Sequence, residues 1–428
     1  MHRFFFAFYF RLRIIALGLA LLLASPGAFA AYNNYSSVLI GERAAGLGGA
    51  FTALAGDAAA TPFYNPATSV LQEGSSASGS VHVYNKYATN IGQPGDFQGA
   101  AGRLNRGFFR SLPSSSGTIL NFDQKFTLGL SIVVPDYDFY SGQVKGVDDS
   151  VSSLNFVDES LWVGGTASKK LSSVDSIGVS LYYTARNVSR SVNDRTTNAG
   201  GTASTIVIEE KNLTSNNLVF VVGYHRRLSN EYSVGLSYRP PSLQVAGEGS
   251  YYRSTTVTSP YTDDVINRGG LKAMTEIPAR FSIGIAREIP KLNTITLDAQ
   301  IYSGANYHDL PDFDTGTDYV NHHYTANIAA GYEHILQDWL TVRGGVFTNL
   351  SSSDPIDPAS THRSNDHVNM YGFSANFSIR AHQQTSFTFG GYYSGGAGIS
   401  TQLVGNQIRV IPKSQQIFTM LVGSSFHF

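Results

Sequence analysis

A repeating two-residue pattern runs through most of this 428-residue chain, from Ser78 to the last residue, and it limits the folds that the chain can adopt. Apolar side chains alternate with polar or small ones. In residues 126–134, for example, Phe126, Leu128, Leu130, Ile132 and Val134 form the apolar set. Such alternation predicts β-strands with one apolar and one polar face. Periodicity alone fits both a soluble β-sandwich and a membrane barrel.

The lengths of the connections separate these two folds. We count about fourteen strands, near 79–88, 115–121, 125–134, 157–169, 174–187, 217–228, 231–246, 271–288, 292–303, 322–335, 339–350, 367–380, 384–394 and 416–428. Links of about three or four residues alternate with long polar links, such as 135–156, 188–216 and 247–270. An even strand number, short turns at one end and long loops at the other are typical of outer-membrane barrels. The sequence therefore predicts an all-β fold, a transmembrane antiparallel β-barrel of about 14 strands.

The two ends of the chain support this interpretation. The last strand alternates from Phe418 and stops on Phe428, which resembles the carboxyl-terminal signal of outer-membrane proteins. At the other end, Arg3, Arg11 and Arg13 precede a short apolar run, and Ala28-Phe29-Ala30 gives a small-x-small cleavage site. We expect a signal peptide over residues 1–30, cleaved near Ala30, and a location in the outer membrane of a Gram-negative-type bacterium.

Composition excludes several classes of site. The chain has no cysteine, which excludes disulfides, thiol catalysis and cysteine-bound metals. A formal net charge of −1 gives no reason to expect a nucleic acid partner. Charged residues make up only 14%, whereas the chain has 43 glycines, 24 tyrosines and 26 phenylalanines, as expected for aromatic belts and tight packing.

A segment rich in small residues, from Gly41 to Thr68, precedes the strands. It has too few large apolar side chains to form a core of its own, so we expect it to pack inside the barrel as a plug. A nucleotide-binding loop is the alternative. The dinucleotide fingerprint would require glycine at Phe51 after a strand, and no Walker lysine follows.

The plug motif resembles that of the FadL/TodX family of outer-membrane transporters for long-chain fatty acids and hydrocarbons. The resemblance is carried by residues 43–51 (RAAGLGGAF), Asp57 and Tyr64-Asn65-Pro66-Ala67, with weaker matches along the strands. It implies three parts: a signal peptide (1–30), an N-terminal plug or hatch (31–75) and an outer-membrane β-barrel (76–428). It also implies a passive channel, gated by the plug, in which substrate leaves sideways beside a kinked third strand.

The resemblance further implies a set of substrate-binding residues. Asn65, Pro66 and Ala67 carry over as walls of the pocket, with Phe63 and Tyr64 as apolar neighbours. The third strand supplies Gly129, which we expect where the plug and the barrel wall meet closely.

Successive residues of a strand face inward and outward in turn, and this parity places six charged residues inside the barrel: Arg186, Arg239, Arg280, Asp298, Glu333 and Arg343. On the lipid face, each would cost several kcal/mol at mid-depth, of order 2–4 for an arginine. We expect Arg280 and Arg343 to meet the carboxylate of a fatty acid by paired hydrogen bonds. The alternative is that these arginines pair with carboxylates of the lumen or with the plug.

Three further expectations concern function. The chain has no recognisable nucleophile and base at catalytic spacing, so we predict that it is not an enzyme and needs no cofactor. We also predict no metal site, because the candidate ligands His322-His323 and Asp366-His367 fall at the ends of strands, where solvated polar residues are ordinary. We expect a monomer whose partners are a hydrophobic small molecule and outer-membrane lipid. The alternative function is that of a plugged barrel acting in protein secretion or surface assembly.

Overall fold

The computed structural model describes residues 33–92, 102–106, 110–123, 125–145, 150–197, 201–313, 319–359, 366–404 and 407–428. The predicted signal peptide and its cleavage site lie outside the described residues.

Three short helices and nineteen strands make up the described chain. The helices are α1 (Glu42–Gly46), α2 (Thr61–Tyr64) and a 3₁₀ helix (Pro66–Leu71). The strands are β1 (Ser76–Ile91), β2 (Gly102–Arg106), β3 (Arg110–Asp123), β4 (Phe126–Lys145), β5 (Val151–Lys170), β6 (Asp175–Thr197), β7 (Ser204–Arg227), β8 (Tyr232–Arg239), β9 (Leu243–Thr258), β10 (Tyr261–Lys272), β11 (Arg280–Ile289), β12 (Asn293–Tyr302), β13 (Ala305–His308), β14 (Tyr319–His322), β15 (Thr325–Gln337), β16 (Leu340–Asn349), β17 (His367–His382), β18 (Thr385–Val404) and β19 (Gln407–His427). In the described part of the chain, no helix is both long and apolar enough to cross a membrane.

Seventeen of these strands form one antiparallel sheet that closes on itself. Strands β2 and β3 both pair with β1, strands β8 and β9 both pair with β7, and strands β10 and β11 pair with β9 and β8. The couples β2 and β3, β8 and β9, and β10 and β11 therefore each occupy one position of the wall. The seventeen strands fill fourteen positions. The seam lies between β1 and β19, which pair from Ser76↔His427 to Ile91↔Lys413. The prediction of an antiparallel barrel of about 14 strands is confirmed.

The wall has an apolar exterior and a polar interior. Outward side chains such as Leu130 (71% exposed) and Phe373 (58%) alternate with buried Ser131 and Ser374. A closed barrel with exposed apolar residues along successive strands matches the lipid-facing band of transmembrane barrels. Below, the end with the short connections, where β1 begins and β19 ends, is called the turn end, and the opposite end is called the loop end.

The strands are longer than the sequence predicts. Most of the residues predicted as long links, including 188–216, belong to paired strands; β6 and β7 stay in register from Asp175↔Arg226 to Thr197↔Ser204. Beyond a lipid-facing band, both faces of a strand contact water, so the apolar alternation stops there while the backbone ladder continues. The periodicity therefore marks the lipid-facing part of each strand, and not the whole strand.

Residues 33–75 pack inside the lumen and extend to the turn end, and they are the plug of the structure. Most of their side chains are buried, including Leu47, Phe51 and Leu54 at 0% exposure. Gly48 and Gly49 have φ values of 68° and 83°, a left-handed conformation that favours glycine. The plug joins the seam directly: Ser75 N donates to Phe428 O (3.1 Å), and Phe428 N donates to Ser75 O (2.9 Å).

Candidate functional site

Glycines of the barrel wall let the plug pack directly against it, and together they are called the seat of the plug. A Cβ atom added at Gly223 would lie 2.0 Å from Asn65 Oδ1, and one added at Gly235 would lie 1.9 Å from Thr52 O. Eight wall glycines of the described chain approach the plug in this way: Gly117, Gly178, Gly223, Gly235, Gly284, Gly331, Gly345 and Gly423. The plug therefore lies directly against the wall at eight of its fourteen positions.

Polar side chains of the wall hold the plug backbone. Asp298 Oδ2 accepts hydrogen bonds from Phe51 N (2.9 Å) and Thr52 N (2.7 Å). Asn376 Nδ2 donates to Glu42 O (2.8 Å), and Ser180 Oγ donates to Pro62 O (2.9 Å). The short helices of the plug leave such backbone groups without partners of their own, so the wall satisfies them.

One carboxylate of the wall joins the plug to the turn end. Arg43 of the plug donates from Nη2 to Glu333 Oε1 (2.7 Å) and from Nε to Glu333 Oε2 (3.0 Å), and Arg343 Nε donates to the same Oε2 (2.5 Å). Arg43, Glu288 and Glu333 line a cavity of about 420 Å³ between the turns at the turn end. The ion pair between plug and wall therefore borders this cavity.

Asn65 fixes the corner between α2 and the 3₁₀ helix. Its Oδ1 accepts from Ala67 N (3.1 Å), while its Nδ2 donates to Thr52 O (2.7 Å) and to Tyr224 O of the wall (3.1 Å). Pro66 follows at the first helical position, where its missing N–H carries no penalty. Pro66 and Ala67 contact Gly178 and Gly223, so this corner is wedged against β6 and β7.

Phe63 and Tyr64 form the aromatic end of the plug. The ring of Phe63 lies 5.8 Å from Trp162 and 5.2 Å from Tyr64, measured between centroids. Arg280 lies over the Phe63 ring at 5.0 Å, and its Nη2 donates to Phe63 O (2.8 Å). The plug thus presents an aromatic surface with a guanidinium stacked on it.

The third position of the wall is interrupted beside Phe63. The ladder between β3 and β4 ends at Ser115↔Val133, and the register of β4 against β5 shifts by one residue between Val133 and Asp136. Proline cannot donate to a ladder, and Pro135 lies in this bulge. Val134, which parity predicts to face outward, is buried as a result of the bulge (6% exposed).

A small cavity of about 20 Å³ adjoins this interruption. It is lined by Tyr35, Phe63, Pro135, Asp136, Arg239, Ile277, Pro278 and Arg280. The guanidinium of Arg239 lies 5.6 Å from the Trp162 ring, and its Nη2 donates to Pro278 O (3.2 Å). Among the described residues, neither Arg239 Nε nor Arg280 Nε has an acceptor, although both are buried. Two cations with unused donors thus border one partly aromatic cavity, together with the carboxyl group of Asp136.

A wider vestibule opens above the plug toward the loop end. It has a volume of about 170 Å³, and its wall includes aromatic and aliphatic side chains between charged ones. Three ion pairs cross it: Arg186 with Asp158 (2.5 Å), Lys211 with Asp309 (2.5 Å), and Lys413 with Asp366. The entrance to the lumen is therefore polar as well as apolar.

The structure brings most of the sequence-predicted site residues together and separates one of them. Phe63, Tyr64, Asn65, Pro66 and Ala67 lie around one corner of the plug, and Arg280 contacts Phe63. The expectation for Gly129 stays a prediction: a Cβ there would have Thr166, Thr118 and Ile119 of the neighbouring strands as its three nearest contacts, at 2.8, 3.0 and 3.4 Å. Arg343 is bonded to Glu333 and Asn376 at the turn end, away from the aromatic corner.

Sequence reasoning missed the residues that complete the corner. Trp162 and Tyr182 are fully buried, with ring centroids 5.7 Å apart, and Tyr182 is hydrogen-bonded to Ser131. Both are large aromatic residues at inward positions of their strands, a signal that was available from parity. The seat glycines carried the same signal, since they too stand at inward positions.

Solved structures resemble the chain, although no family model matches it and a search of curated proteins gives no match. A Pseudomonas aeruginosa FadL homologue has a TM-score of 0.63 at 13% identity, over 94% of this chain and 100% of that one. The P. putida toluene transporter TodX has a TM-score of 0.64 at 13% identity, over 92% and 99%. The chain has the FadL/TodX fold. The CymD monoaromatic hydrocarbon channel also shares this FadL/TodX fold, with a TM-score of 0.59 at 14% identity over 91% and 97%.

Proposed function

We propose that this chain is a passive outer-membrane channel for hydrophobic compounds, with the plug as its gate. The observation that carries the proposal is the position of Phe63, next to the interrupted third position of the wall and the cavity beside it. A transmembrane barrel whose lumen is closed at the turn end needs a side path or a movable plug to pass any solute. The shared fold of a FadL homologue and of two hydrocarbon channels supports this function.

The cavity is too small for a hydrophobic ligand in this conformation. About 20 Å³ holds roughly one water molecule. Passage therefore requires a displacement of Phe63 or of the plug corner at Asn65. Such a displacement would join the cavity to the vestibule above it and to the interruption beside Pro135.

The two buried arginines favour a ligand that carries a carboxylate. Arg239 and Arg280 have unused Nε donors, and the described chain has no carboxylate within 4.0 Å of either guanidinium. A carboxylate with an apolar tail would satisfy these donors and also contact Phe63 and Trp162. A neutral aromatic hydrocarbon would use only the rings. We therefore propose long-chain fatty acids, ahead of hydrocarbons such as toluene, as the substrate class.

Uptake of labelled long-chain fatty acid and of labelled toluene by cells expressing the protein tests this function. Arg280→Met should lower fatty acid uptake by about tenfold or more, because a hydrogen bond to a charged group contributes about 1.5–3 kcal/mol. Toluene uptake should not fall, because the aromatic rings remain and the variant also loses the bond from Arg280 to Phe63 O of the plug. Arg287→Met on the same strand is the matched control, since Arg287 is part-exposed and pairs with Glu231 at the turn end.

The plug is tested in the same assay with the double variant Asn65→Ala, Pro66→Ala. Uptake that requires the protein and changes in this variant would support gating by the plug. If a correctly folded barrel takes up neither compound, the transport function is wrong, and a role in secretion or surface assembly takes its place.

A further inference from the structure

A row of buried polar side chains runs along the inner face of β8, β11 and β12. It begins below the small cavity at Arg239 and Arg280, called here the arginine cavity, and ends at the cavity of about 420 Å³ at the turn end. The register sets three successive levels: Ser237, Ser282 and Gln300; then Gly235, Gly284 and Asp298; then Ser233, Ala286 and Thr296. The next inward residues, Glu288 and Thr294, line the cavity at the turn end, so the row lies between the two cavities.

Four side chains of the row have a polar atom that lacks a hydrogen-bond partner in the described part of the chain. They are Ser237 and Ser282 (Oγ), Asp298 (Oδ1) and Thr296 (Oγ1). Each of these residues is only 1–2% exposed. A buried polar group without a partner is unfavourable and needs an explanation, and four of them in one row indicate a common partner.

Other hydroxyl groups of the wall bond directly to the plug. Ser176 Oγ donates to Ala67 O (2.8 Å), Ser180 Oγ to Pro62 O (2.9 Å) and Ser374 Oγ to Gly46 O (3.0 Å). The hydroxyls of Ser237 and Ser282 are buried to the same degree, yet neither bonds to a plug carbonyl among the described residues. The common partner of the row is therefore not the plug.

The spacing of the levels fits water. Successive inward residues of a strand lie roughly 6.6 Å apart, and a water molecule with two hydrogen bonds of about 2.8 Å spans about 5.6 Å. One or two waters can therefore bridge each pair of levels. A larger polar ligand does not fit the upper end of the row, because the arginine cavity, at about 20 Å³, holds roughly one water.

We propose that the row binds a file of water molecules, and that this file connects the arginine cavity to the turn end. The file is too narrow for a hydrophobic substrate, so it is a second path, for water alone. It gives the arginine cavity a source of water on the side away from the vestibule. Water can then leave or refill this cavity when a ligand enters or leaves beside Phe63, and that consequence alone rests on the proposed function.

The chain has no cysteine, which allows a direct test with single thiols. Ser237→Cys and Ser282→Cys place a thiol in the row. Ser176→Cys is the matched control, because Ser176 is fully buried, is bonded to the plug and lies at the level of Gly235, nearer the turn end than Ser282. Mercuric chloride should modify the two row thiols at least about tenfold faster than the control thiol, which becomes accessible only by local opening.

Mass spectrometry of the intact protein in detergent micelles gives these rates. Strand content by circular dichroism and heat-modifiable gel mobility show that each variant is folded. Equal rates for the three thiols would overturn the proposal, whether or not the protein takes up fatty acid.

Thr296→Val tests the connection to the turn end. Valine has nearly the shape of threonine but no hydroxyl, so the file loses its lowest binding group. In the Ser282→Cys protein, this change should slow the reaction with mercuric chloride, whereas Thr184→Val, which removes an equally buried and unpartnered hydroxyl of β6 outside the row, should not. An unchanged rate with Thr296→Val would overturn the connection, since the reagent would then arrive from the vestibule.

A crystal structure at high resolution gives an independent check. It should show water within about 3.2 Å of the four unpartnered atoms, and the Thr296→Val protein should lose the water at the lowest level. A dry row in the wild-type protein would overturn the proposal.

Discussion

Arg43 and Glu333, which are 290 residues apart in the chain, form a two-point ion pair between the plug and the barrel wall, with N···O distances of 2.7 and 3.0 Å. The same carboxylate accepts a hydrogen bond from Arg343 of the wall at 2.5 Å. The side chains of Glu333 and Arg343 are 7% and 10% exposed, so water screens little of this interaction. One wall carboxylate thus serves two cations, of which only one belongs to the plug.

This arrangement predicts an order of effects among three single variants. Glu333→Gln removes the carboxylate that both guanidiniums share and leaves Arg43 with only Glu288, at 3.7 Å; breaking a buried pair in this way costs about 3–5 kcal/mol. Arg43→Gln costs less, because Glu333 keeps Arg343. Single-channel recordings in planar bilayers should show the largest rise in conductance for Glu333→Gln, a smaller rise for Arg43→Gln, and the smallest for Arg343→Gln, which leaves the bond to the plug in place. Equal conductance of Glu333→Gln and wild type would contradict the assigned role of the pair.

The glycine seat predicts that single methyl groups displace the plug. Gly223→Ala and Gly235→Ala would place a Cβ atom 2.0 and 1.9 Å from plug atoms, so the plug has to move. Both variants should show raised conductance and greater sensitivity of the cells to large antibiotics. Gly165→Ala is the control, since the nearest neighbour of its Cβ would be Gly129 O, 3.8 Å away. A response as large as that of Gly223→Ala would count against the seat.

Removal of Pro135 should close the interruption of the third wall position. The bulge contains one extra residue, because Val133 pairs with Trp162 and Asp136 with Ser160. Deletion of Pro135 restores one continuous register and supplies N–H groups along the whole strand. Uptake of the hydrophobic substrate should fall to background while strand content is kept. Pro135→Val, which retains the extra residue, should keep most of the uptake; the opposite ranking would exclude a side path at this point.

Asn65 offers a way to separate two roles of one side chain. Asn65→Asp keeps the oxygen that accepts from Ala67 N but loses the donors to Thr52 O and Tyr224 O, whereas Asn65→Ala loses all three bonds. Loss of the cap alone costs about 1 kcal/mol. Position 65 is fully buried, so the second carboxylate oxygen of Asn65→Asp would lie against the carbonyl oxygens of Thr52 and Tyr224. Limited proteolysis of the plug should therefore be faster for Asn65→Asp than for Asn65→Ala, and faster for both than for wild type. Equal rates in all three proteins would show that the corner does not hold the plug.

Sequence patterns predicted the parts of this structure that repeat. Period-two alternation and the spacing of turns gave the barrel and its fourteen wall positions, because every lipid-facing strand meets the same physical demand. The bulge at Val134 and Pro135 broke that pattern at one point, where a single inserted residue reverses parity. The sequence also could not predict the partner of Arg343, because the register between strands decides which inward charges meet. Glu333 lies opposite Arg343 only when β15 and β16 are aligned as in the structure.

The backbone bonds between Ser75 and Phe428 tie the end of the plug to the last residue of the chain, so the order of assembly is constrained. The plug segment is synthesised first, and the strand that seals the barrel is synthesised last. Eight wall glycines of the described chain lie directly against the plug, so the folded plug fits tightly inside the barrel. We therefore expect closure of the seam and docking of the plug to be coupled steps, with the barrel held open during membrane insertion until the plug is in place.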